Sequence, residues 1–382
     1  MGRITPEFPS FLPKEIFMRK IRVLVVDDSV VVRKIVTESL TVDPEIDVVG
    51  IAANGKIALA KIPQLNPDII TLDIEMPVMD GLQALVEIRK LYPALPVIMF
   101  STLTERGGVK TLEALSLGAT DYVTKPANVG SVSIAMKRIR DELVPKIKTF
   151  CSENAGLKLP FKAKPEPVDK AKPYPKKTFT PRVAPSTNTK IDIVVIGVST
   201  GGPNALADLF PVFPKNFPVP IVIVQHMPPF FTKLLADRLS SKSNLVVVEG
   251  AKGQMLQPGQ AWIAPGNFHM VLEKNGNNYK IQTNQAPPEN SCRPSVDVLF
   301  RSVADLFGPR VLSVILTGMG QDGLIGSEHI KDAGGRVIVQ DENTSVVWGM
   351  PGFVAKAGLA EKVLPLNQIG QEIIRIVTIG RS

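Results

Sequence analysis

Three residues set far apart in the chain, Ser199, His226 and Asp322, have the types needed to activate a hydroxyl. A serine is a weak nucleophile until a base takes its proton, and the base needs an acid to orient it. Ser199 lies in Gly197-Val198-Ser199-Thr200-Gly201, a G-x-S-x-G spacing whose small residues permit a sharp turn that presents the hydroxyl. Glycine-rich turns also bind phosphate, so the pattern alone does not choose. A dinucleotide site is the competing reading. Against it, the spacing is G-x-x-x-G-G rather than G-x-G-x-x-G, and the next apolar run ends in Gln225-His226, where an acid would hold a ribose. Any histidine chemistry must use His226, His269 or His329. His226 ends an apolar run, as Ser199 does. His269 follows a Gly-Asn turn and is read as structural, although it could lie near the site. His329 falls in a helical pattern and is read as solvated. The order Ser…His…Asp argues against an ordinary α/β-hydrolase, whose order is Ser…Asp…His, without excluding a triad.

A second constellation lies nearer the start. Asp27, Asp28 and Asp73 end two apolar runs, Ser101 ends a third, and Lys125 ends a fourth. Any one aspartate alone is read as a helix cap. The set converges on one edge if the runs are parallel strands, and three carboxylates together call for a cation, with oxygen-rich sites suiting Mg²⁺. A carboxylate nucleophile, a metal, an ammonium and a hydroxyl suit phosphoryl transfer.

These placements require alternating strands and helices. IRVLVVDD, DVVGIAA, DIITLD, PVIMFST and TDYVTKP read as strands, with helices between them, Ser29 capping the first, and a last helix over about 130–148. Further on, IDIVVIG, PIVIVQH and RVLSVILTG are apolar throughout, as strands covered on both faces should be. AWIAPG, HMVLEKNG and YKIQTN read as shorter strands, with a hairpin around NGNN. Helices are expected at about 203–210, 230–240, 295–307 and 323–333. The expected fold class is α/β: two doubly wound parallel-sheet domains, the first flavodoxin-like and the second Rossmann-like. The expected division is an extension at 1–19, a domain at 20–148, a linker at 149–190 and a domain at 191–379.

Bulk properties narrow the class. The 382 residues are 44% hydrophobic and 21% charged, ordinary for a soluble globular protein, and no apolar run approaches 18 residues. The opening residues lack a continuous apolar h-region, so no secretory signal is read there. Two cysteines, Cys151 and Cys292, are too few for a disulfide framework or a zinc cluster and suit a reducing cytoplasm. The net charge of +8 lies almost wholly in residues 158–190, which hold nine Lys/Arg against two acids, together with seven prolines. That is a semi-extended Pro/Lys-rich linker rather than a basic face, which weakens a nucleic-acid reading. A DNA-binding regulator would also need a helix-turn-helix, which the strand-rich second half does not offer. A non-catalytic scaffold is the remaining rival, and the intact Ser/His/Asp set argues against it.

The segments VVDDS, LDIEMPVMDG, FST and YVTKP make residues 20–145 resemble the receiver domains of two-component signalling. The resemblance implies that Asp73 accepts phosphate from a chemotaxis histidine kinase. It implies that Asp28, Asp73 and the Glu75 backbone carbonyl hold Mg²⁺, with Asp27 assisting. Ser101 becomes the switch hydroxyl, Tyr122 the switch aromatic and Lys125 the phosphate contact, with a cis bond to Pro126. The segments GVSTGGP, VQHMPPFFT, IAPGNFHM, RPSVDVLFRSV, LTGMGQDG and QDENTSVVWGMP make residues 190–377 resemble the CheB-type protein-glutamate methylesterases. By that resemblance Ser199 is the nucleophile, His226 the general base and Asp322 the orienting acid, while Thr200 and the Met319 N–H steady the oxyanion. The implied substrates are glutamate γ-methyl esters on methyl-accepting chemotaxis receptors, with glutamine deamidation as a second activity and no cofactor for either. The implied setting is the cytoplasm, with recruitment to membrane receptor arrays, no membrane insertion and no nucleic acid. Cys292 departs from the histidine expected at its position, which puts only a peripheral contact in doubt.

Overall fold

A computed structural model of the protein describes residues 19–125, 132–151, 189–379 and 381. Residues 1–18 of the expected N-terminal extension, the bulk of the linker and Pro126 lie outside the described residues. The first half alternates β1 (Ile21–Val26), α1 (Val30–Thr41), β2 (Ile46–Ala52), α2 (Gly55–Leu65), β3 (Ile69–Asp73), α3 (Gly81–Leu91), β4 (Val97–Ser101), α4 (Glu105–Ser116), β5 (Asp121–Thr124) and α5 (Val132–Cys151). The Ser29 side chain caps α1, and an Asp80/Gln83 capping box opens α3. The strands form one parallel sheet in the order β2-β1-β3-β4-β5. Every residue of β3 and β4 is buried, as the unbroken apolar runs require of strands covered by helices on both faces.

The second half runs β6 (Ile193–Val198), α6 (Gly202–Leu209), β7 (Ile221–Gln225), α7 (Phe231–Lys242), β8 (Val246–Glu249), β9 (Gln260–Ile263), β10 (His269–Asn275), β11 (Asn278–Asn284), α8 (Val296–Phe307), β12 (Val311–Ile315), α9 (Leu324–Asp332), β13 (Arg336–Gln340), α10 (Met350–Lys356), β14 (Lys362–Leu364) and α11 (Leu366–Thr378). Seven strands make a second parallel sheet, β14-β13-β12-β6-β7-β9-β8. The β10–β11 hairpin turns at Asn275–Asn278, as the Gly-Asn composition predicts. AWIAPG is not part of that hairpin: its β9 adds to the main sheet beside β7, because its Ala261, Trp262 and Ile263 are all buried there.

The order reverses at β6, with β7 on one side and β12 on the other. Ligands of open parallel sheets gather outside the carboxyl ends of strands at such a point. The helical layer behind it is tight. A Cβ at Gly326 of α9 would come within 2.6 Å of the Phe300 Cβ of α8. Among the described residues no helix is long and apolar enough to cross a membrane.

The two halves share a continuous apolar cluster that runs from Leu112, Leu115 and Tyr122 into Phe231, Leu235 and Leu206. The Tyr122 and Phe231 rings stack with centroids 5.4 Å apart, a favourable aromatic distance.

Phe300, fully buried under α9, tests the packing behind the site. Phe300→Ala should cost about 3–5 kcal/mol, seen as a lower urea midpoint for the second-domain transition.

Candidate active site

Ser199 follows β6 directly, and Gly201 adopts φ +78°, a left-handed conformation that only glycine takes cheaply. The chain then enters α6 with Pro203 in the first turn. The Ser199 N–H donates to Thr317 O at 3.0 Å, which ties the nucleophile turn to the loop after β12. His226 follows β7, and its N–H donates to Val198 O at 3.2 Å. Gln225, 2% exposed, donates from Nε2 to Ser199 O at 3.0 Å and to His226 O at 3.3 Å. Asp322 stands at the end of the loop after β12. Three neighbouring strand ends therefore deliver Ser199, His226 and Asp322 to one edge.

His226 Nε2 donates to Asp322 Oδ2 at 2.8 Å, which leaves Nδ1 as the nitrogen with a free lone pair in the neutral ring. Ser199 and His226 line a single cavity of about 310 Å³. Among the described residues no hydrogen bond joins the Ser199 hydroxyl to either ring nitrogen. Asp322, 2% exposed, is caged by donors: Val296 N at 2.7 Å, Ser295 Oγ at 2.8 Å, Asn290 Nδ2 at 2.9 Å, Asp297 N at 3.0 Å and Gly323 N at 3.1 Å. Burial pushes its carboxyl up, but His226 and the backbone donors outweigh that and hold it at about 2. Asp297 lies behind it, 1% exposed, accepting from Asn290 Nδ2 and from the N–H groups of Gly323 and Gly326. Its burial and the charge of Asp322 raise it to about 6.

Gln225, Asn290, Ser295 and Asp297 are supporting residues that the motif reading missed. An acid in the first turn of a helix signals a cap from sequence, and nothing in the spacing shows that Asp297 braces a second acid. Cys292 corrects an expectation: it is not peripheral, because its Sγ lies 3.6 Å from His226 Nδ1. His269 is structural, with Nε2 donating to Pro287 O and Nδ1 accepting from Ser295 N. His329 is exposed on α9. Met319 is half-buried in the loop after β12. Thr200 is 7% exposed, and its hydroxyl donates at 3.3 Å to Asp121 Oδ2 of the first half.

The first-half residues Asp121, Tyr122, Thr124, Glu142 and Lys146 form one wall of the cavity. Lys146 Nζ lies 2.6 Å from Asp121 Oδ2. Asn204 Nδ2 donates to Leu115 O at 2.8 Å, and Arg238 Nη1 to Leu112 O at 2.8 Å, so α4 is held against the second half.

At the other sheet edge, Asp27, Asp28 and Asp73 bring carboxylate oxygens within 4.8 Å of one another. Lys125 Nζ lies 2.9 Å from Asp27 Oδ2 and 2.7 Å from Asp73 Oδ2. Burial and the Asp27 charge raise Asp73 to about 6 despite Lys125. This oxygen-rich donor set with an exposed Asp28 fits a hard divalent cation. The Glu75 carboxylate turns away to Lys110 at 2.9 Å. Ser101 is 1% exposed, accepts from Thr111 Oγ1 at 2.6 Å and donates to Gly107 O at 3.1 Å. Tyr122 is buried against Phe231 rather than free in a surface groove.

The CheB methylesterase family model matches residues 194–373, and the response regulator receiver domain model matches residues 23–137. The protein-glutamate methylesterase/protein-glutamine glutaminase of Trichodesmium erythraeum (strain IMS101) is 54% identical, over 94% of this chain and 99% of that protein. The protein of the same name from Nocardioides sp. (strain ATCC BAA-499 / JS614) is 50% identical, over 94% of this chain and 96% of its own. The crystal structure of the Thermotoga maritima CheB methylesterase catalytic domain is 45% identical, over 50% of this chain and 100% of that one, with a TM-score of 0.49.

Burial alone would lower His226, but the Cys292 sulfur and the Asp322 carboxylate favour the imidazolium and push it up to about 10 from 6.5. A raised histidine contributes stability that is complete below 6.5 and is lost as pH rises through the folded-state value. NMR titration should show the His226 ring, assigned with His226→Gln, keeping its proton well above pH 6.5, and Cys292→Ala should lower the midpoint. A midpoint unmoved by that substitution would contradict this account of the contact.

Proposed function

The chain belongs to the CheB methylesterase family, and from that premise we propose that Ser199, His226 and Asp322 hydrolyse glutamate γ-methyl esters of chemotaxis receptors under the control of Asp73. The observation that carries the reading is the hydrogen bond of His226 Nε2 to a fully caged Asp322, in the cavity that Ser199 lines. In the molecules whose ring has lost its Nδ1 proton, Nδ1 takes the Ser199 proton as the hydroxyl oxygen attacks the ester carbonyl. Asp322 holds the ring tautomer and stabilises the imidazolium, which then protonates the departing methoxide. Water, activated by the same nitrogen, cleaves the acyl-enzyme and returns the serine. Thr200 and the Met319 N–H are assigned to the oxyanion. A receptor glutamine follows the same path with ammonia as the leaving group, in keeping with the second half of the relatives' name. The esterase step needs no cofactor.

Asp73 is assigned as the phosphate acceptor from a chemotaxis histidine kinase. Asp28, Asp73 and the Glu75 carbonyl are assigned to Mg²⁺, with Asp27 beside them. Bound there, the cation neutralises charge on the incoming phosphoryl group. Lys125 contacts the phosphate, and Ser101 and Tyr122 repack in response. The protein acts at membrane receptor arrays without inserting into the bilayer. The domain division given above belongs to the same proposal.

In the unphosphorylated state the first domain restrains the second. Three observations support this: Asp121 accepts from the Thr200 hydroxyl, Tyr122 stacks on Phe231, and α4 is clamped by Asn204 and Arg238. A Thr200 hydroxyl committed to Asp121 is withdrawn from the oxyanion. Phosphorylation shifts the population away from this arrangement.

Methanol release from methylated receptor membranes tests each part. Ser199→Ala should lower kcat by at least about 10³-fold, and an unchanged rate rejects the triad. A hydrogen bond from a charged donor contributes about 1.5–3 kcal/mol. Arg238→Ala should therefore raise the unphosphorylated rate by roughly 10–150-fold, without raising the rate reached with a small phosphodonor. Asp73→Ala should abolish the response to that phosphodonor.

A further inference from the structure

The hydrolytic cycle leaves one reactive group in the cavity without a task. Cys292 lines the same space as Ser199 and His226, with its Sγ 3.6 Å from His226 Nδ1. Zn–S of about 2.3 Å and Zn–N of about 2.0–2.1 Å at a tetrahedral angle put sulfur and nitrogen about 3.6 Å apart. The observed separation, that of a thiol–imidazole hydrogen bond, also matches the spacing of two ligands of one ion. His226, Cys292 and Asp322 bring donor atoms within 4.8 Å of one another. Their roles would differ. The Asp322 oxygens are taken by His226, Asn290, Ser295 and backbone donors, so Asp322 stays a partner of Nε2. That hydrogen bond is the outer-shell feature of metal-bound histidines, in which a carboxylate accepts from the other ring nitrogen, fixes the ring and raises its basicity. Two cations line the cavity, and each is held by other partners: the Arg293 guanidinium donates to Asn267 Oδ1 and to the carbonyls of Gln285 and Ala286, and the Lys146 ammonium pairs with Asp121.

We propose that His226 Nδ1 and Cys292 Sγ form a binding site for Zn²⁺, and that its occupation switches the hydrolase off. On binding, the Cys292 thiol and the protonated His226 Nδ1 each give a proton to solvent, and the freed sulfur and Nδ1 lone pairs bond to the ion. Nothing is oxidised or reduced. Water fills the two remaining positions. With its lone pair on the metal, Nδ1 cannot accept the Ser199 proton. The inhibitory half rests on the function proposed above, whereas the metal site does not. Two protein ligands give a reversible, micromolar site, far weaker than the four-ligand sites that hold structural zinc.

Full-length protein freed of metal with EDTA is titrated with Co²⁺ and then with Zn²⁺. The wild type should develop a thiolate-to-cobalt charge-transfer absorption that Zn²⁺ removes. Cys292→Ala should lack the band, which also excludes the buried Cys151 as its source. His226→Gln should weaken Co²⁺ binding at least tenfold, with circular dichroism confirming that both variants fold. No band in the wild type, a band that survives Cys292→Ala, or unchanged affinity in His226→Gln would each overturn the site. In a parallel assay Zn²⁺ should inhibit methanol release at micromolar concentration, EDTA should restore it, and half-inhibition of Cys292→Ala should need at least tenfold more Zn²⁺ relative to its own metal-free rate. A cobalt band without inhibition would overturn the switch. Because the optical signal needs no substrate, its failure is distinguishable from failure of the receptor-ester reading.

Discussion

A carboxylate removed from water is tolerated only when donors replace the hydration it has lost. Asp322 meets that requirement with an imidazole, an amide, a hydroxyl and three backbone N–H groups. Those donors come from four places: the end of β7, the turn at Asn290, the start of α8 and the loop after β12. Satisfying one buried charge therefore fixes the mutual position of elements nearly a hundred residues apart. Val296 and Asp297 present their N–H groups from the first turn of α8, where the helix dipole also favours a negative charge. The arrangement has a cost in Asp297, a second buried acid whose proton is held more tightly because Asp322 is charged. The Asn290 amide bridges the two carboxylates and lets them lie close together.

The same logic sets the histidine. Anchored through Nε2 to a carboxylate that cannot move, the His226 ring can offer the cavity only Nδ1. Whatever stands at Nδ1 therefore governs the base, and in this chain that neighbour is a cysteine sulfur. The cavity is also partly built from the receiver. Asp121 is held by Lys146 on one side and reaches Thr200 on the other, so a charge balance inside the first domain extends into the second. Ser101, Thr111 and Gly107 are hydrogen-bonded to one another at the β4–α4 corner, and α4 carries the carbonyls that Asn204 and Arg238 grip. A rearrangement at Ser101 thus has a short packed route to the clamp.

Much of this was legible in the sequence because parallel sheets are simple to read. Strands buried on both faces appear as unbroken β-branched runs, and the residues that end them must share an edge. That places Asp27, Asp28, Asp73, Ser101 and Lys125 at one edge, and Ser199, His226 and Asp322 at another, before any contact is known. The short strand at AWIAPG was harder, since a four-residue run does not say which strand it will join.

Sequence alone determined the two α/β sheets, the strand ends that carry chemistry and the family. The tertiary structure decided what touches those residues. Cys292 precedes a Pro-containing turn and reads as incidental, yet the turn folds it onto His226 Nδ1. Asp297 is one acid in the first turn of an expected helix, and it stands behind the triad acid. Thr200 reads as part of the nucleophile turn, and its hydroxyl is held by the other domain. The reason is physical. Periodicity reports which face of an element is buried, whereas a side-chain contact between distant elements depends on loop paths and domain docking, which leave no period in the sequence.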